Sequence, residues 1–125
     1  MAIEFSGLDT LIQKLDEASK KAPQVKSKFL AQEGELLRGR TVNLTPVDTG
    51  RLRADWKRSS VQGNKVAVFN NTEYAGHVEY GHRVKVHGRY TGGFVPGRHM
   101  LRDAMEETKK NFPQDASDIL KGILS

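Results

Sequence analysis

Apolar and polar positions follow two different periods along this chain, and the switch between them sets helical ends against a strand-rich middle. Ile3 and Phe5 alternate with polar neighbours and stop at Gly7, the pattern of a short edge strand. Leu8, Leu11, Ile12 and Leu15 then recur at helical spacing, with Lys14, Asp16 and Glu17 on the other side. Ser6 or Asp9 can cap the start, so the spacing predicts a helix over 8–21. Pro23 suits the first turn of a second, longer helix, whose apolar stripe reads Val25, Phe29, Gln32, Leu36, Leu37 and Leu44. Gly34 and Gly39 weaken that helix by about 1 kcal/mol each relative to Ala, which implies a close approach there. Pro46 ends it, because proline lacks the backbone donor and keeps the preceding residue out of the helical region.

Period two takes over in the middle. Thr45 to Gly50 reads as a loop, and Arg51 to Trp56 as a single turn. Trp56–Val61 and Lys65–Phe69 read as strands joined by a turn at Gln62-Gly63-Asn64. Val66, Val68, Trp56 and Ser60 supply the inward face. Asn70-Asn71 closes the second strand. Residues 72–80 suit a short helix with Tyr74, Ala75 and Val78 on one side, ended by Gly81. Val84 and Val86 alternate with Arg83, Lys85 and His87, the pattern of an exposed strand. Gly88, Gly92 and Gly93 with Arg89 and Thr91 read as a flexible tip, after which Phe94-Val95-Pro96 returns toward the core and Pro96-Gly97 turns. Met100, Leu101, Ala104, Met105, Thr108 and Phe112 mark an amphipathic helix ending near Pro113. A last helix over 115–124 carries Ile119, Leu120, Ile123 and Leu124. The expected fold is α+β, with N-terminal helices and a C-terminal helix packed on a small, mainly antiparallel sheet. Residues 1–125 form one domain, without internal repeats.

Bulk composition narrows the function. A chain of 125 residues supports one core, and with 37% hydrophobic residues that core is thin enough to leave room for stabilisation by oligomerisation. Cysteine is absent, which removes disulfides, thiolate metal ligands and a cysteine nucleophile. No stretch approaches the roughly 20 apolar residues of a membrane span, and the first residues lack a signal-peptide pattern, so a soluble protein is expected, without membrane partners. Net charge is +5, and residues 80–102 carry all of it: Arg83, Lys85, Arg89, Arg98 and Arg102 occur there without a single Asp or Glu. The remaining fifteen basic and fifteen acidic residues cancel. Such a stretch is either an ordinary solvated surface or a face for nucleic acid or an acidic partner.

Candidate chemistry is sparse. All four histidines, His77, His82, His87 and His99, lie in the same region, but HVEYGH lacks the H-E-x-x-H spacing of helical zinc sites and Gly81 interrupts it. No G-x-S-x-G elbow supports a serine nucleophile. Glu73 and Glu79 could form a carboxylate pair, but nothing brings a third acid to them. Gly88 to Gly93 lacks phosphate-loop spacing. Tyr80, Tyr90 and Phe94 interleave with Arg83, Lys85, Arg89 and Arg98, a combination able to stack bases and neutralise phosphates, although no zinc-finger or RNA-recognition signature accompanies it. No catalytic residue, metal or cofactor is assigned.

Three phrases in order carry a resemblance: TPVDTGRLRADW (45–56), NNTEYAGHVEYG (70–81) and FVPGRHMLRDAM (94–105). Together they resemble a family of small siphophage and prophage proteins described as tail components, neck proteins or tail-completion proteins. The resemblance spans nearly the whole chain and says least about 82–93. It implies a structural, non-enzymatic virion protein of the head–tail joint, assembled in the host cytoplasm. It further implies a ring, hexameric by expectation, that caps the tail and joins the tail terminator or tail tube to the head connector, with non-specific contact to DNA in the channel as an option. The alternatives are a small basic nucleic-acid-binding module and a metal-dependent enzyme using His77, His82 or His99.

Within those phrases the residues expected to matter are Pro46, Asp48, Gly50, Leu52, Arg53, Trp56, Asn70, Tyr74, Glu79, Gly81 and Pro96. Asp48 caps the turn, Gly50 supplies a positive φ or a close approach, Trp56 fills the core, and Asn70 bonds backbone at the strand end. Glu79 is expected to pair with Arg51 or Arg53. Arg83, Lys85, Arg89 and Tyr90 form the candidate interface loop, expected to dock on a partner protein and to order on contact.

Overall fold

The structure, a computed structural model, describes residues 2–4, 13, 17, 20, 24–46, 50–63 and 65–124, leaving aside the side chains of 2–4, 120, 123 and 124. In chain order the elements are β1 (Ala2–Glu4), α1 (Val25–Leu44), α2 (Gly50–Ala54), β2 (Lys57–Arg58), β3 (Ala67–Phe69), α3 (Ala75–Tyr80), β4 (Gly81–Val86), β5 (Arg89–Pro96) and α4 (Met100–Leu124). The architecture is α+β, as the periodicity implies. Gln13 and Glu17 are helical; the rest of the helix expected over 8–21 lies outside the described residues, apart from Lys20.

Two layers make the frame. A three-stranded antiparallel sheet, ordered β1-β3-β2, pairs Ile3 with Val68 and Arg58 with the same residue from the other side. Val66 and Val68 face inward and are buried. The strands expected over Trp56–Val61 and Lys65–Phe69 are shorter than their patterns. The ladder is prolonged by side chain: Ser59 N–H donates to the Ala67 carbonyl (2.8 Å), and the Ser59 hydroxyl accepts from Ala67 N–H (2.9 Å). A bridge between Gln62 and Lys65 closes the hairpin.

Helices α1 and α4 form the second layer. The buried positions of α1 are Phe29, Leu30, Glu33, Gly34, Leu37 and Thr41. On α4 they are Met100, Leu101, Ala104, Met105, Thr108, Phe112 and Ala116. The two stripes meet, with Phe29 and Phe112 in edge-to-face contact at 5.2 Å between ring centroids. The α1 stripe is therefore rotated from its expected position: Gln32, Leu36 and Leu44 are exposed, whereas polar Glu33 and Thr41 are buried. Thr41 escapes the cost of burial by donating to the Leu37 carbonyl (2.8 Å). Gly34 sits where α1 crosses the sheet, and a Cβ there would lie 2.8 Å from Arg58 Cδ and 3.0 Å from Val66 Cγ2. Gly39 has open space instead, so the close approach expected there is absent.

Pro113 does not end the last helix. One helix runs from Met100 to Leu124 through it. A proline inside a helix costs about 3 kcal/mol, but Pro113 lies on the exposed side, and buried Phe112 and Ala116 anchor the chain on both sides of it.

The hairpin of β4 and β5 stands outside both layers. It forms its own two-stranded sheet, pairing His82 with Val95, Arg83 with Phe94 and Lys85 with Tyr90. At its tip His87 (φ 50°) and Gly88 (φ 78°) make a two-residue turn with both central residues left-handed, the backbone that matches the twist of paired strands. The flexible loop expected at 88–93 is thus the turn and the first part of a strand. Phe94 and Val95 do not return to the core but are 60% and 43% exposed.

Candidate functional site

The motif residues converge on the joint that fixes this hairpin to the frame. The chain leaves α1 at Thr45, which is extended (ψ 134°) ahead of Pro46. A relay of hydroxyls runs down to this corner: Trp56 Nε1 donates to Thr45 Oγ1 (2.9 Å), which donates to the Thr41 carbonyl (2.6 Å). Arg53 Nε donates to the Val42 carbonyl (3.2 Å), which also accepts from the Thr45 N–H (3.2 Å) at the helix end. Leu52 is fully buried, and its carbonyl accepts from Asn70 Nδ2 (2.8 Å). Asn70 Oδ1 in turn accepts from Thr72 N–H (2.9 Å) and the Thr72 hydroxyl (2.5 Å). Asn70 thereby ties the first motif to the second, in the role expected of it. Beside it Asp55 accepts from Asn71 N–H (2.7 Å), and that bond, with Lys57, holds its carboxyl below the usual carboxylate range.

Glu79 does not pair with Arg51 or Arg53. It is 2% exposed, and its carboxylate accepts from Leu101 N–H (2.7 Å) and Arg102 N–H (3.3 Å) at the start of α4. His99 holds the capping position of that helix in a left-handed conformation (φ 50°), with its Nδ1 3.9 Å from Glu79 Oε2. Glu79 therefore supplies from another segment the cap and the negative charge that a helix start favours. Two backbone bonds accompany it: Arg98 N–H to the Val78 carbonyl (2.7 Å) and His99 N–H to the Glu79 carbonyl (3.1 Å).

Glycines make this crossing tight. A Cβ on Gly97 would collide with the backbone of Glu79, Tyr80 and Gly81, and one on Gly81 (φ 85°) would lie 2.5 Å from the Val95 carbonyl oxygen. Gly81 ends α3 as expected. Gly50 has neither a positive φ nor a close neighbour and simply starts α2, correcting the expectation for it. Asp48 lies outside the described residues. Tyr74 precedes α3 and packs half-buried on the core. Pro46, Pro96, His77, Val78, His82, Val95 and Arg98 surround one cavity at the hairpin base, where the His77 and His82 rings stack at 5.2 Å. Glu73 is exposed and separate in role from buried Glu79. Among the described residues no three His, Asp or Glu side chains group to hold a metal.

The interface residues separate onto two faces. Alternation puts Arg83, Lys85, Tyr90 and Phe94 on one, with Arg83 Cζ 3.8 Å and Lys85 Nζ 4.7 Å from the Tyr90 ring centroid. Val84, Val86, Arg89 and Val95 occupy the other. Of the seven large hydrophobic side chains that stand exposed among the described residues, four (Val86, Tyr90, Phe94 and Val95) belong to this arm and Tyr80 adjoins its base, so the exposed apolar surface is concentrated there. Next to its base an open cleft along α4 is lined by Tyr80, His99, Leu101, Met105 and Glu106.

The other unusual group is Glu33, wholly buried between the helices, with both carboxyl oxygens lacking a hydrogen-bond partner of ordinary geometry. Burial, with Asp115 nearby, pushes its pKa up to about 8 despite Arg40.

A model of the HK97-gp10-like family, bacteriophage tail-component proteins, matches residues 9–81. Comparison with curated proteins and with solved structures gave no match. The matched segment covers the first two motif phrases and stops where the arm begins. Thr45, Gly97 and His99 complete the joint but escape a reading of the sequence, since their partners are set only by the fold.

Proposed function

We propose a specific place in the virion for this chain, which belongs to the HK97-gp10-like family of bacteriophage tail components. It is a subunit of the head–tail joint. Copies close into a hexameric ring that caps the finished tail, contacts the tail terminator or tail tube on one side and meets the head connector on the other. The supporting observation is the arm: an ordered hairpin with apolar side chains exposed on both faces, fastened by buried hydrogen bonds to a frame whose own apolar residues are mostly covered. Six residues of strand reach about 20 Å, enough to lie across a neighbour. Val84, Val86 and Val95 suit contact with the next subunit, whose α4 cleft with Leu101 and Met105 offers apolar surface. A contact between two different patches closes into a ring by rotation. Assembly takes place in the host cytoplasm.

Loss of the gene from its phage tests this place. Electron microscopy of the lysate should show filled heads and full-length tails that stay apart, with joining restored by added protein. Absent or misshapen tails would instead assign the chain to an earlier step of tail building.

A further inference from the structure

We propose that the basic arm, through Arg83 and Lys85 on one face and Arg89 beside the turn at its tip, binds the phosphate backbone of duplex nucleic acid, without sequence preference. This binding does not depend on the place at the joint and is testable on the isolated protein. Arg83, Lys85, Arg89 and Arg98 have no carboxylate partner among the described residues; of the five cations in 80–102 only Arg102 has one, Asp103 at 3.2 Å. Arg83 and Lys85 are steadied by the Tyr90 ring instead. An aromatic face orients a cation while leaving its full charge and its N–H donors for an outside anion.

Geometry agrees with charge. Arg83 and Lys85 are two residues apart on one strand face, about 7 Å, close to the axial rise of two nucleotides at about 3.4 Å each. A two-stranded ribbon is also of a width that a B-DNA major groove admits. Arg89 sits at the projecting tip, next to the turn. The remaining basic and acidic residues balance at fifteen each, so the rest of a second copy offers no net negative charge to receive the arm, whereas a duplex offers a regular row of phosphates.

The test is fluorescence anisotropy of the full chain with a labelled duplex of about 30 base pairs, from about 50 to about 200 mM salt. Three to five phosphate contacts should give a slope of log affinity against log salt between about −2.7 and −4.5. Substituting Arg83→Ala, Lys85→Ala and Arg89→Ala together should lower affinity at least tenfold at the lowest salt and flatten the slope by about 2.7. Lys109→Ala with Lys110→Ala, which removes exposed charge from α4, should change neither. Unfolding curves of both variants should overlay the parent. No binding at the lowest salt would overturn the proposal, as would equal losses in the two variants. Loss of self-association in the arm variant with duplex binding intact would also overturn it and assign the arm's cations to a second copy.

Discussion

The frame and the arm come from the same chain and follow opposite rules. In the frame, the buried polar side chains other than Glu33 find partners among the described residues: Thr41, Thr45, Asn70, Thr108 and Glu79 are all buried and all hydrogen-bonded. In the arm, large apolar side chains stand in solvent, and its three cations, Arg83, Lys85 and Arg89, lack a carboxylate partner among the described residues. A surface of that kind adds little to the stability of the monomer, so its composition is free to answer to whatever it meets. The joint between the regions, built from Glu79, Gly81, Gly97 and His99, belongs energetically to the frame although it serves the arm.

That division can be broken at several points. The largest effect is expected at the helix–helix contact, where Phe112→Ala should cost about 3–5 kcal/mol in denaturant unfolding. At the joint, Glu79→Ala strands the Leu101 and Arg102 N–H groups and should cost about 2–3 kcal/mol, while Glu79→Gln keeps an acceptor and should cost less. Gly97→Ala should free the hairpin base, seen as faster amide exchange across 81–97 with the α1 amides still protected.

Glu33 sharpens the comparison, as the buried polar side chain that, among the described residues of the frame, lacks a hydrogen bond of ordinary geometry. Its folded pKa, about 8, is raised above the unfolded value, so the folded state holds a proton the unfolded state has released. Between about pH 4.5 and 8 its contribution to stability falls as pH rises, by up to about 1.4 kcal/mol per unit. Glu33→Gln should remove that decline and stabilise the protein at pH 8, by thermal unfolding across pH. The lowered pKa of Asp55 acts in the opposite direction and at lower pH, so the two windows are separable. The smallest effect is expected on the arm, where Val86→Ser should shift unfolding by no more than about 0.5 kcal/mol.

The arm's exposed strand, the stop at Gly81 and the role of Asn70 were legible in the sequence, because alternation, glycine and asparagine act over a few residues. The face of α1 was not, because three of its buried positions are Glu33, Gly34 and Thr41, which patterning counts as polar or as breaks. The continuous α4 was hidden by Pro113, whose local penalty is outweighed by packing on both sides. The partner of Glu79 lies 22 residues away and is a pair of backbone donors; nothing in residue type marks such a cap, whereas nearby arginines suggest a salt bridge.

The central claim, that a self-sufficient frame presents an arm needed only for joining, is tested most directly by replacing residues 83–94 with a short glycine turn in the phage. The particles would then be imaged beside an unfolding curve of the purified variant. Unchanged stability with heads and tails left unjoined is the expected result. Normal joined, infectious particles, or collapse of the fold on removal of the arm, would contradict it.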